Sequence, residues 1–193
     1  MSSEQQWLDF YLHKGSDNQQ RLLLDIWTMT FEELESTHDY IQWLFPTTEP
    51  SPINPHAPLV TESLRQKIQE APEIRANLLR SYDTMAAFWG FYRDDDEQLY
   101  ASPHIETQSK RWCCQHNHNQ LRITRMLKCL TLAGFGNLAF QTSTFLLSYL
   151  NQAGLSFSEV PASLYWMSAV DSSEEVELEI EIDINSLPPE DPQ

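Results

Sequence analysis

The sequence predicts an all-α fold, an irregular single-domain helical bundle with a Pro-rich strap and an acidic C-terminal arm. Three observations predict it. Only five glycines occur in 193 residues. Apolar residues recur at spacings of three and four in one segment after another, the signature of helices with one buried face. The breaks between these segments carry the residues that start and stop helices, Thr or Asn at the beginnings and Gly or Pro at the ends. A hydrophobic content of 41% with six Trp, nine Phe and seven Tyr is enough to build a core, and it excludes disorder for most of the chain. The length fits one domain, 1–170, followed by an acidic tail, 171–193.

In chain order, a first helix is expected over Gln5–His13, with Trp7, Phe10 and Tyr11 on one side and Gly15 as its stop. A second is expected over Gln20–Trp27. Thr30-Phe31-Glu32-Glu33 reads as a capping box, the threonine oxygen serving the amide of Glu33, and this short acidic helix breaks near Ser36. A further helix is expected over Thr37–Phe45, ended by Pro46. Residues 46–60 hold five prolines, so no helix runs through them; proline restriction points to a fixed extended strap. Thr61 caps the next helix, to Glu70. Pro72 opens a long one over Glu73–Phe91, with Ile74, Leu78, Tyr82, Met85 and Trp89 as its stripe. Arg93–Ser109 reads as a polar, insertion-tolerant loop. Asn117 or Asn119 caps a helix that ends at Gly134, another covers Asn137–Gln152, and a short one covers Pro161–Val170. Val176, Leu178, Ile180, Ile182 and Ile184 then alternate with acids, a short-strand pattern with no sheet edge expected to receive it.

Charge is unevenly placed. The net charge is −16, which argues against nonspecific binding to nucleic acid or to an anionic membrane. All twelve Lys and Arg lie at or before Lys128, against eighteen acids there; beyond it stand ten acids and no base. Three cysteines make no disulfide framework and suit a reducing compartment. No apolar run is long enough to span a bilayer, and Met1–Gln6 lacks the features of a signal peptide, so a cytoplasmic protein is expected.

Two words carry the most information. Tyr40-Ile41-Gln42-Trp43-Leu44-Phe45-Pro46 is apolar almost all round. His116-Asn117-His118-Asn119-Gln120-Leu121-Arg122-Ile123-Thr124-Arg125-Met126-Leu127-Lys128 is a cationic helix in an acidic chain. With Trp7-x-x-Phe10-Tyr11-Leu12, Asn54-Pro55-x-Ala57-Pro58-Leu59 and Leu78-x-x-Ser81-Tyr82-x-x-Met85-x-x-Phe88-Trp89-Gly90, they occur in the order and spacing of one known family. The chain resembles the conserved region of opioid growth factor receptors over roughly residues 6–152. That resemblance implies a domain whose animal members are described as binding an enkephalin-type peptide. It implies no catalytic residue.

Each word has a structural and a functional reading. Tyr40, Gln42 and Trp43 either plug the core, with Gln42 finding a backbone partner, or line a groove for a peptide. On the helical wheel Ile123, Met126, Leu127, Leu130 and Ala133 form the buried arc, with Thr124, Arg125 and Lys128 opposite and Arg122 at the border. Arg122 either pairs internally, with Asp39 or Asp83 as candidates, or joins Arg125 and Lys128 in a basic pocket for a peptide carboxylate or an acidic segment. Residues 171–184 are one such segment. Asn117 and His118 either cap the helix or contact a ligand. The expected function is a noncatalytic binding protein for a peptide or acidic protein segment. The alternative is an enzyme using His118, His116 or His38. The spacing of Cys113, Cys114, His116 and His118 matches no common closed metal site, and no phosphate loop or dinucleotide fingerprint occurs, so neither metal nor cofactor is expected. The sequence does not set the oligomeric state.

Overall fold

Helix boundaries in the computed structural model, which describes residues 3–170, follow the caps written in the sequence. The first helix, α1 (Ser3–Tyr11), buries Trp7, Leu8, Phe10 and Tyr11. The second, α2 (Leu23–Trp27), is shorter than expected. Asp17 Oδ1 accepts from the amides of Gln19 and Arg21, which folds 17–21 into a turn with Gln20 at φ +63°. In α3 (Phe31–Ser36) the capping box is present in both directions, at 3.2 Å from the Glu33 amide and 2.7 Å from the Thr30 amide.

The aromatic word forms only one turn of helix, α4 (Ile41–Leu44), not the expected 37–45. Two causes act. Phe45 precedes proline and is pushed out of the helical region, at ψ 77°. At the other end, tertiary bonds hold the 37–39 backbone out of a helix: the Asp39 carbonyl accepts from Asn54 Nδ2 at 2.8 Å, and the Thr37 carbonyl from Arg122 at 2.7 Å.

Thr61 Oγ1 caps α5 (Glu62–Glu70) at 3.1 Å from the Leu64 amide, and Pro72 is the first residue of α6 (Pro72–Trp89). The expected continuation of α6 through Phe91 and a loop to Ser109 is replaced by a hairpin. Gly90 adopts φ +97°, which ends the helix, and β1 (Phe91–Arg93) pairs antiparallel with β2 (Leu99–Ala101). Tyr92 faces Tyr100 across the pair with ring centroids 5.7 Å apart, and Asp94 Oδ1 accepts from the amides of Asp96 and Gln98 to fix the turn. The fold is thus mostly helical, with one two-stranded sheet.

After α7 (Ile105–Gln108) and a 3-10 turn at Ser109–Arg111 come α8 (His118–Leu132), α9 (Gly136–Gln152) and α10 (Ala162–Ser168). Of the two candidate caps, Asn117 caps α8, its side chain accepting from the Asn119 amide at 2.8 Å. In the core α8 lies against α9, α10 lies across both, and α6 packs on α1 and α5. Trp7, Trp43, Trp89, Trp112 and Trp166 are fully buried, and burying an indole requires a partner for its N–H. Each has one: the Trp43 carbonyl for Trp7, Asn18 Oδ1 for Trp43, Asn119 Oδ1 for Trp89, the Trp89 carbonyl for Trp112 and the Gln120 carbonyl for Trp166.

The proline-rich strap is fixed as expected. Val60 N donates to the Thr47 carbonyl at 2.9 Å, and Asn54 Nδ2 also reaches Asn18 Oδ1 at 3.1 Å. The alternating pattern at 176–184 lies outside the described residues. No helix among those described is long and apolar enough to cross a membrane.

Candidate functional site

The aromatic word is interior. Tyr40 and Trp43 are buried, and Tyr40 donates its hydroxyl to the Leu34 carbonyl at 3.1 Å. Burial raises the Tyr40 pKa well above the ordinary phenol value, with Arg122 opposing the shift. Gln42 is buried too. Its Nε2 donates to Ser51 Oγ of the strap at 3.4 Å rather than to the backbone, and its Oε1 has no partner among the described residues. All three of these side chains are thus buried.

Arg122, 5% exposed, pairs internally, but not with a carboxylate. Asp39 is held by Arg21 at 2.8 Å and Asp83 by Arg93 at 2.7 Å. The Arg122 guanidinium instead lies over the C-terminal end of α3. It donates to the carbonyls of Leu34 at 2.8 Å and Thr37 at 2.7 Å, to Asn119 Oδ1 at 3.2 Å, and meets His38 Nδ1 at 3.0 Å. A cation at a helix C-terminus satisfies carbonyls that have no partner within the helix. Arg125 does the same for α4, reaching the Phe45 carbonyl at 3.1 Å, and Arg75 for α8, reaching the Ala133 carbonyl at 2.9 Å. Lys128 is paired with Glu49 at 3.1 Å. Thr124, expected on the outer face, is buried, while Leu121 is exposed. The cationic helix is therefore buried over most of its length, and its arginines are engaged in holding other helices.

At the rim of this arrangement stand His118 and His38, ring centroids 5.0 Å apart, with Glu35 Oε1 3.4 Å from His118 Nε2 and Arg111 3.7 Å from Glu35. Partial burial and Arg122 push the His118 pKa below the usual histidine value against the pull of Glu35. Asn117 is committed to its cap, and His116 stands apart, exposed, its carbonyl facing Cys114 Sγ at 3.9 Å. No group of three or more His, Cys, Asp or Glu among the described residues is placed to hold a metal ion. Burial raises the Cys113 and Cys114 thiols and pushes Cys129 up to about 12, which removes thiolate character.

An exposed surface lies elsewhere, between the hairpin and α9. A cavity of about 260 Å³ opens there, lined by Gln98, Leu99, Phe140, Gln141, Thr144 and Phe145. Phe91 of β1 packs its ring against that of Phe145, centroids 5.2 Å apart. Phe140 is 58% exposed, and Gln141 Oε1 is buried without a hydrogen-bond partner among the described residues. None of these residues was singled out in the sequence. The available signal was Phe140, a large aromatic on the polar arc of its helix beside Asn137, Gln141 and Thr144.

Comparison with known proteins gives the chain its family. The model of the opioid growth factor receptor conserved region matches residues 2–179. The opioid growth factor receptor of Rattus norvegicus is 37% identical over 110 residues, 56% of this chain and 19% of that protein. The human receptor is 37% identical over 110 residues, 56% of this chain and 16% of that protein. Opioid growth factor receptor-like protein 1 of Xenopus tropicalis is 31% identical over 116 residues, 60% of this chain and 22% of that protein. The matched region thus spans about a fifth of these relatives' length. No solved structure matches the chain. With nearly its whole length matched by that model, the chain belongs to the opioid growth factor receptor conserved-region family.

Proposed function

We propose that this chain is a noncatalytic binding module for a short peptide, and that the peptide lies in the groove between β2 and α9. The observation that carries the reading is the groove itself: an exposed Phe140 beside a cavity lined by Leu99, Gln141, Thr144 and Phe145. An apolar side chain of the peptide would cover Phe140. The receptor names of the relatives point the same way. The expected pocket at Tyr40, Gln42, Trp43, Arg122 and Arg125 is not favoured, because those side chains are buried or engaged with carbonyls.

Selection of a displayed random peptide library on the full chain tests this. Phe140→Asp should lower binding of the selected peptides at least about tenfold, a loss of roughly 1.4 kcal/mol. Selected peptides that bind the variant unchanged would remove the groove.

The alternative reading, an enzyme, is favoured by the juxtaposition of His38, His118 and Glu35. Burial lowers the His118 pKa, the direction that favours the neutral imidazole a general base uses. The cluster is tied to Arg122, which holds the end of α3, so the binding reading is preferred.

A further inference from the structure

We infer that the partner recognised at this groove is an extended, basic segment that pairs as a third strand with β2. This deepens the binding reading and rests on it.

The hairpin fixes which main-chain groups are free. Asp94 N donates to the Gln98 carbonyl and Ser102 N to the Gly90 carbonyl. In the register Phe91↔Ala101, Tyr92↔Tyr100, Arg93↔Leu99, hydrogen-bonded pairs alternate, so the bonded pair between these two is Tyr92 with Tyr100. The N–H and C=O of Leu99 and Ala101 therefore point away from β1, along the outer edge of β2. Ala101 is exposed, and Leu99 lines the cavity. An extended segment laid along this edge would pair those four groups. Every second side chain would face α9, where Phe140 and Thr144 form the wall and Gln141 Oε1 lacks a donor.

Charge selects the occupant. The turn at the end of this edge is Asp94-Asp95-Asp96-Glu97, with the last three exposed. The adjacent cation, Arg93, is bound to Asp83 through two nitrogens, at 2.7 and 2.9 Å. The open edge therefore ends in a negative field. That field repels a second copy of a chain with net charge −16, and it repels the chain's own residues 171–193, which hold acids and no base. A strand carrying Lys or Arg between apolar residues meets the opposite condition: its cations approach the turn while its apolar side chains enter the groove.

Two synthetic peptides of equal length test the inference on the full chain, one alternating Lys with Val around a central Phe, the other with Glu at every Lys. The Lys peptide should bind at least about tenfold more tightly and weaken as salt rises. The triple variant D95N/D96N/E97Q should bring the two peptides together; Asp94 is left in place because it holds the turn amides. N-methylation of one alternate set of Lys-peptide amides should abolish binding, and of the other set leave it intact. Equal binding of the two peptides, with a Phe140→Asp loss retained, would overturn the charge inference and leave the groove standing. Binding insensitive to both N-methyl sets would overturn strand pairing. Binding of neither peptide would remove the inference, and with library peptides that ignore Phe140→Asp the groove reading as well. Lys-peptide binding that appears only after deletion of residues 171–193 would make the tail the occupant and overturn the proposal.

Discussion

Arg122 places a charge inside the protein without a carboxylate beside it. Six groups converge on its guanidinium: the carbonyls of Leu34, Glu35 and Thr37, the Tyr40 hydroxyl, Asn119 Oδ1 and His38 Nδ1. Replacing it with leucine would leave the end of α3 unpaired in the interior. Arg122→Leu should cost about 3 kcal/mol in denaturant unfolding, and Arg122→Lys nearly as much, because an ammonium cannot span the fork. A loss under about 1 kcal/mol for both would show that α3 needs no clamp. His118 gives a pH dependence. It faces Glu35 and His38, with Arg122 behind it and Arg111 on the far side of Glu35, and its folded pKa is lowered, first by burial and then by Arg122. The unfolded chain therefore takes up the proton first. The contribution is complete above the ordinary histidine range and declines as the pH falls through that range toward the lowered folded value. His118→Gln should flatten that part of the stability–pH curve, read by thermal unfolding across the range; an unchanged slope would mean that His118 does not titrate in the folded protein as described.

At the level of elements, Gly90 divides what the sequence shows from what it hides. It ends α6 at φ +97°, and a Cβ there would stand 2.9 Å from Gln108 Cβ and 3.1 Å from the Ile105 backbone. Gly90→Ala should destabilise by about 2 to 3 kcal/mol, against a near-neutral Gly136→Ala, where a Cβ meets nothing within 4 Å. Equal effects at the two sites in thermal unfolding would refute this account of the turn. Helix starts were legible because a cap is local: Thr30, Thr61, Pro72 and Asn117 act within three residues of themselves. The hairpin was not, since Tyr92 and Tyr100 gain by stacking only once Gly90 has turned the chain, and strands of three residues carry too little periodicity to read. The shortening of α4 was equally hidden, because the bonds that hold 37–39 come from Asn54 and Arg122. For the same reason the wheel placed Arg122 at a border, where the structure buries it, and named Asp39 and Asp83 where the carbonyls of α3 receive it.

Over the whole molecule, the sequence drew attention to its most unusual words, and those are the words the fold uses to hold itself together. Five buried indoles with placed N–H groups and three arginines on helix ends leave the aromatic word and the arginines of the cationic helix little surface to offer. The surface left open includes the β2 edge, Phe140 and the acidic turn. Hydrogen exchange on the full chain, with and without the Lys–Val–Phe peptide in excess, tests this division most directly. The account predicts slowed exchange confined to residues 98–101 and 140–145, with 34–45 and 117–128 unchanged. Protection at 34–45 and 117–128 with none along the β2 edge would contradict it.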